Sequence, residues 1–503
     1  MATRRLPSIF YNWTTAVGAL IAAVTFSIIF LLYLIDLVVK KTTIYLGLVT
    51  FVILPILLIF GLALIGVGAF LERRRLARGT PSAFSGLIRI DLQNMTHRNA
   101  LVLGLTGAGV FLLASAVGTY KAYQKTESVA FCGQLCHSVM HPEFTAYQTS
   151  PHARVACVQC HIGPGADWFV KAKLSGAYQV YAVAANVYPR PIPTPVRNLR
   201  PARETCEQCH WPEQFFGARK DVNHHFLADE ANTPWPITVL INVGGGSEAT
   251  GKVEGIHWHM AIANKVQYIA RDSSRQEIAW VRVEDRTGKV AEYSDAERPL
   301  TPEERARAEV RTLDCIDCHN RPSHVYRSPV QAVNEAMAIG RIDRTLPYIK
   351  REAVKALDAE YPDTPSALRA IEERLTKFYQ ESYPEVFASR RAAVDGAVAG
   401  VQRVYQQNFF PEMKVSWNRY PDNIGHSQFV GCFRCHGERL RTAEGQTITK
   451  DCAACHSILA QGTDPATGTY SPKGLAFQHP VDVEGAEKEG NCTECHAGGA
   501  ELY

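Results

Sequence analysis

The stretch Glu204-Thr-Cys206-Glu-Gln-Cys209-His210-Trp211-Pro212-Glu213 contains the pattern C-x-x-C-H. The same pattern returns at Cys157-Val-Gln-Cys160-His161, Cys315-Ile-Asp-Cys318-His319, Cys432-Phe-Arg-Cys435-His436, Cys452-Ala-Ala-Cys455-His456 and Cys492-Thr-Glu-Cys495-His496. A seventh copy, Cys132-Gly-Gln-Leu-Cys136-His137, carries one extra residue. Together they use all 14 cysteines of the 503-residue chain. At this composition chance predicts roughly 0.01 regular copies.

C-x-x-C-H is the attachment sequence of c-type haem. Two thiols one helical turn apart add to the two vinyl groups of one macrocycle, and the following imidazole reaches the iron as proximal ligand. Zinc knuckles also use paired cysteines, but they give a histidine after every pair no role. A disulfide framework leaves those histidines equally unexplained. The count therefore predicts seven covalent haems, with proximal ligands His137, His161, His210, His319, His436, His456 and His496.

Low-spin electron-transfer haems need a second strong axial ligand. Of 17 histidines, seven belong to the motifs and His97 sits at the inner end of an apolar segment. Nine remain: His141, His152, His224, His225, His257, His259, His324, His426 and His479. His152, His324, His426 and His479 each lie close to a motif or within reach of one by a short loop. One ligand is expected from each of the pairs His224/His225 and His257/His259, and we favour His225 and His259. His141 and Met140 compete for the first haem; a methionine there raises the potential.

Working outward, three apolar runs fill the first 120 residues: Thr14–Val39, Ile44–Phe70 and Asn99–Tyr120. Each is long enough to cross about 30 Å of hydrocarbon at 1.5 Å per residue. The first run is too long for the apolar core of a cleavable signal and lacks a small-residue cleavage site, so it reads as an uncleaved anchor. Arg73, Arg74, Arg75, Arg78, Arg89 and Arg98 lie between runs two and three, against Lys40 and Lys41 between runs one and two. With Arg4 and Arg5, the positive-inside rule puts the N-terminus and the arginine-rich loop in the cytoplasm. Three crossings then place everything after Tyr120 in the periplasm, the face of the bacterial inner membrane on which haem is attached.

The composition expects a mainly α, membrane-anchored multihaem cytochrome c. Its parts are a three-span anchor (1–125), a three-haem region (126–230), a small antiparallel β-subdomain (231–300), a helical region with the fourth haem (301–425) and a C-terminal three-haem cluster (426–503). Thr238–Val243, Val266–Asp272, Glu277–Glu284 and Val290–Tyr293 alternate like strands. Thr301-Pro302-Glu303-Glu304 is a capping box with proline in the first turn. Leu368, Ile371, Leu375 and Phe378, and then Val394, Val398, Val401 and Tyr405, recur at helical spacing. The haem-dense stretches are expected to hold little regular structure. Gly244-Gly245-Gly246-Ser247 lacks the lysine and spacing of a phosphate loop. A net charge of +4 with no basic stripe gives no footing for nucleic acid.

The run from the third apolar segment through Cys132–His137, Met140, Ser150-Pro-His152, Cys157–His161, Gly163-Pro164-Gly165, Lys171-Ala-Lys173-Leu-Ser-Gly176 and Glu204–Glu213 resembles the NapC/NirT family of membrane-anchored quinol-dehydrogenase cytochromes. The whole chain resembles longer members, the three-span, seven-haem inner-membrane cytochromes of metal-respiring bacteria. Gly255-Ile-His257-Trp-His259-Met260 and Asn423-Ile-Gly-His426 look like theirs. The resemblance implies menaquinol as substrate, menaquinone as product, periplasmic c-type cytochromes as partners, and a quinol-site lysine near Lys171 and Lys173. It also implies a methionine or a carboxylate at the first haem, for which Asp167 is a candidate; Asp167 could equally accept a proton. Family members usually carry one anchor helix, four haems and a regular first motif, so this chain departs in all three. An electron wire fed by a partner, and a terminal reductase with an open haem, are the alternative functions.

Overall fold

The computed structural model describes residues 8–10, 12–38, 54–78, 93–163, 166–196, 201–211, 217–244, 255–260, 264–285, 287–462, 469–486, 490–496 and 498–499. Arg4, Arg5, Lys40, Lys41, Arg89, the first ten residues of the second apolar run and Gly245–Ser247 lie outside these. The chain divides into two units, residues 1–135 and 136–503.

In the first unit, helices α1 (Trp13–Val38) and α2 (Leu54–Ala77) are long and apolar enough to cross a membrane. They pack antiparallel, and glycine sets how closely. A Cβ added at Gly61 would lie 2.8 Å from the Ala22 nitrogen and 3.0 Å from the Gly18 carbonyl. One end of the pair is pinned by Asn12 Nδ2, which donates to the Gly68 carbonyl at 3.1 Å. In lipid, close backbone approach through small residues replaces the hydrophobic drive that holds helices together in water. The third apolar run lies within α3 (Met95–Thr126), 32 residues or about 48 Å of helix. Its Phe111 ring meets Phe26 of α1 at 4.9 Å. Several α3 side chains lie outside the described residues, and among the described residues two helices, α1 and α2, are long and apolar enough to cross a membrane.

The second unit holds α4 (His137–Gln148), α5 (Ala166–Ala184), α6 (Pro329–Ala338), α7 (Ile349–Leu357), α8 (Thr364–Ser382) and α9 (Arg391–Asn408). The capping box at Thr301 forms, although the helix it starts runs only Pro302–Arg307. Ser328 and Asp363 cap α6 and α8 through the backbone N–H groups of Gln331 and Ser366. The helical stripes become the core. Ile371, Leu375, Val394 and Val401 are fully buried, and Val139 and Ala146 of α4 join the same cluster with Phe226, Tyr326, Phe410 and Trp417. Full burial of each aliphatic side chain contributes roughly 1.5–3 kcal/mol.

Among the described residues, ten strands form two antiparallel sheets. One has the order β1-β2-β9-β10 (Gly217–Asn223, Ile237–Gly244, His456–Gln461, Thr469–Leu475). The other runs β6-β3-β4-β5-β7-β8 (Arg311–Thr312, Lys265–Ala270, Ile278–Glu284, Val290–Asp295, Gly437–Arg441, Thr447–Ile448). All four expected strands exist, but they do not make one β-subdomain within 231–300. The strand expected first, β2, pairs with β9, and β5 pairs with β7, so C-terminal strands complete both sheets. This also makes the C-terminal motif stretch more regular than expected: its strands satisfy backbone groups left open about 145 to 225 residues earlier.

Candidate haem sites

Each regular motif sits on or beside a single helical turn, which brings its two thiols to one side. Asp314, Asp451 and Asn491, each directly before a motif, cap those turns. The Asp314 side chain accepts from Cys315 N at 2.7 Å, and the Asp451 side chain from Ala453 N at 3.0 Å. Gly431 enters motif five at φ +51°, where a Cβ would collide with the Gly425 carbonyl. The first motif is different. Cys132 lies in a π-helical turn, Phe131–Leu135, whose hydrogen-bonded ring holds one more residue than an α turn. That matches the one extra residue between its cysteines. None of the cysteines forms a disulfide.

Opposite six of the seven motif histidines the chain places a second imidazole. Ring centres are separated by 6.0 Å for His152 and His210, 6.3 Å for His324 and His161, and 6.3 Å for His257 and His319. The separations are 5.7 Å for His259 and His436, 6.2 Å for His426 and His456, and 5.9 Å for His479 and His496. A metal–imidazole bond is about 2 Å long and the ring centre lies roughly 1 Å behind the nitrogen, so two imidazoles across one metal stand about 6 Å apart. The pairs therefore fit an iron between them.

Tautomers follow from hydrogen bonds. Nδ1 of His152, His257, His259, His324 and His479 faces the backbone carbonyl of Pro322, Val243, Ile256, Glu143 and Val481, at 2.8 to 3.1 Å. A carbonyl only accepts, so each Nδ1 carries the proton and each Nε2 presents a lone pair, the form a metal takes. Burial also holds the imidazoles of His161, His259, His319, His426, His456 and His496 below their ordinary value, and His324 down to about 4. They are neutral at pH 7.

The pairing differs from the sequence expectation in two places. His257 and His259 both face motif histidines, because the 3₁₀ turn Ile256–Met260 points its two imidazoles at different motifs. Among the described ring contacts, neither His224 nor His225 faces a motif histidine. His225 lies near His496 and Lys350, and His496 already faces His479. At the first motif, Met140 is half-buried one turn beyond Cys136, while His141 is exposed with its ring edge-on to Phe410 at 5.2 Å. The His137 side chain lies outside the described residues.

Thiols of successive motifs are neighbours. Cys160 lies beside Cys206 and Cys209, and Cys206 lies beside Cys315. Burial pushes Cys318 up to about 11, with Cys432 alongside it. Cys432 also neighbours Cys455, and Cys452 neighbours Cys492. From motif two to motif seven, spatial order follows chain order.

Lys171 of α5 is exposed, with Nζ 4.7 Å over the Trp168 ring. Leu174, Tyr178 and Tyr181 of the same helix are also exposed. Asp167 and Lys173 lie on α5 as well, with side chains outside the described residues.

Paired imidazoles in series beside thiol-bearing turns define a multihaem c-type cytochrome. Residues 94–191 match the NapC/NirT cytochrome c family, N-terminal region. The chain is also 43% identical over 504 residues to the cytochrome c-type protein ImcH of Geobacter sulfurreducens, covering 100% of this chain and 98% of that protein. It belongs to the ImcH-like NapC/NirT cytochromes, membrane proteins of electron transfer that carry covalent haem. No solved structure matches the chain.

Proposed function

We propose that this chain oxidises menaquinol at the bacterial inner membrane and delivers the electrons to periplasmic c-type cytochromes. The observation that carries the reading is the series of six imidazole pairs at iron-spanning separation, in chain order, on a chain with membrane-crossing helices. All 14 cysteines and the seven motif histidines would hold seven haems, and His152, His257, His259, His324, His426 and His479 would be the second iron ligands for six of them. Haem, when bound, supplies reversible one-electron iron chemistry.

Oxidising menaquinol releases two protons and two electrons, so the chain must orient the quinol and take up protons. Lys171 and Lys173 hold the quinol oxygen, and Asp167 accepts a proton. The apolar and aromatic face of α5 excludes water from the ring. At the first motif Met140 or His141 would supply the second iron ligand. α3 forms the third crossing, with the arginines at the end of α2 in the cytoplasm and residues beyond Tyr120 in the periplasm.

Stopped-flow reduction of the detergent-purified chain by a menaquinol analogue tests the site. The expected result is rapid haem reduction that slows at least tenfold in Lys173→Ala, with haem content unchanged. Equal rates in parent and variant would remove Lys173 from the quinol site.

A further inference from the structure

Motifs four and five are joined by their own variable residues. Asp317 and Arg434 each occupy the second variable position of C-x-x-C-H, and both are buried, at 2% and 9% exposure. The Asp317 carboxylate accepts from Tyr268 Oη at 2.6 Å, Arg275 Nη1 at 2.9 Å and Asp314 N at 2.7 Å. Arg434 donates Nε to the Gly431 carbonyl at 2.9 Å, Nη1 to the Arg275 carbonyl at 2.8 Å and Nη2 to the Asp317 carbonyl at 2.6 Å. Asn423 Nδ2 adds a bond to that same Asp317 carbonyl at 3.0 Å.

Two of these bonds are local: the Asp314 N–H bond to the Asp317 carboxylate closes the capping box of motif four, and the Gly431 bond of Arg434 stays within its own turn. Two links cross between the motifs: Arg434 donates directly to the Asp317 carbonyl, and it donates to the carbonyl of Arg275, whose guanidinium bonds the Asp317 carboxylate. The far-side imidazoles of the same two motifs, His257 and His259, come from one turn, Ile256–Met260. Each motif turn is thus tied to its neighbour twice, once through its proximal segment and once through the far-side ligand.

We propose that Asp317, Arg275 and Arg434 form a buried bridge that locks motif four to motif five, so that the fourth and fifth haems are held as one rigid pair. This rests on the haem assignment above. A covalently attached haem moves with the turn that bears it, so a bridge between two turns fixes the spacing and relative orientation of two macrocycles. Charge-assisted, buried hydrogen bonds are the strong ones, and Arg434 makes all of its bonds to carbonyls that only a planar, five-donor cation can reach together. Arg434 and Asp317 act as positioning residues.

The test uses the full-length, detergent-purified chain and compares Arg434→Gln, Arg434→Lys and Gln159→Met, the last at the exposed equivalent position of motif two. Haem per chain is read by pyridine haemochrome, haem potentials by optical redox titration, and inter-haem magnetic coupling by electron paramagnetic resonance. Arg434→Gln is expected to keep the parental haem count, to shift two titration steps while the others stay, and to change the coupling of one haem pair. Arg434→Lys is expected to recover part of each change, and Gln159→Met to change nothing. If Arg434→Gln does not accumulate, Arg275→Met decides by the same readouts. Unaltered titration and coupling in a fully haem-loaded Arg434→Gln would overturn the bridge. A parent chain without low-spin bis-imidazole signals would overturn the haem assignment itself, and is read on the parent alone.

Discussion

His324 shows how a single residue is fitted to its role. Its Nδ1 proton goes to the Glu143 carbonyl at 3.0 Å, burial keeps the ring neutral, and its other face meets His161. His324→Ala is expected to turn one low-spin haem high-spin and leave the others unchanged, visible by resonance Raman; an unchanged spectrum would mean His324 is not a ligand. Lys350 makes a second residue-scale prediction. It is 3% exposed, and burial lowers its ammonium to about 8. A lysine whose folded value lies below its unfolded one costs stability fully below the folded value. That cost fades as pH rises toward the unfolded value. The stability advantage of Lys350→Met over the parent is therefore expected to fall by about 3 kcal/mol between pH 8 and pH 10.5, measured by denaturant titration. A constant difference across that window would contradict the burial account. At this scale the sequence is most informative where chemistry dictates spacing. The C-x-x-C-H repeats are legible in the sequence alone, and His152, His324, His426 and His479, singled out for lying near a motif, each face a motif histidine. Asp317 and Arg434 are not legible there, because the variable positions of C-x-x-C-H carry no pattern and their partners, Tyr268 and Arg275, are far off in the chain.

Elements divide by whether their signal is local. The α1–α2 pair is written in apolar length, and its tightness in glycine. Gly61→Val is expected to disrupt the pair and lower the amount of chain recovered from membranes, whereas Gly66→Val, with nothing within 4 Å, is expected to match the parent. Equal recovery of the two would show that the hairpin does not depend on close approach. Helices α8 and α9 are likewise legible in their periodic stripes, which become core. Leu375→Ala in α8 is expected to cost about 2–5 kcal/mol by cavity formation, read as a lower denaturant midpoint. The strands are legible individually through alternation, but their sheets are not. Pairing β2 with β9 joins Ile237 to Gln461 and Ile241 to His456, and nothing local in either segment encodes a partner so distant. The turn Ile256–Met260 is the same case. Two histidines two residues apart suggest one ligand and a bystander until the fold shows a motif histidine facing each.

For the whole molecule, arrangement carries the function. Chain order becomes spatial order because each motif turn abuts the next, from Cys160 beside Cys206 to Cys452 beside Cys492. A sequential row suits transfer between a membrane donor and a soluble acceptor better than conversion of a bound substrate. Six motif histidines face a second imidazole, and the seventh, His137, belongs to the motif that follows the apolar helices in the chain. Family membership was legible from the stretch around Cys206 and from the segment that follows Cys157. The pairing inside residues 136–503 was not, since strands beyond residue 436 complete both sheets. The central claim is that quinol electrons enter this row. The most direct measurement is an anaerobic titration of the detergent-purified, fully haem-loaded chain with a menaquinol analogue, following haem absorbance. The account predicts reduction that continues to about seven electrons per chain, one for each attachment motif. A chain that dithionite reduces fully but the quinol leaves oxidised would contradict it.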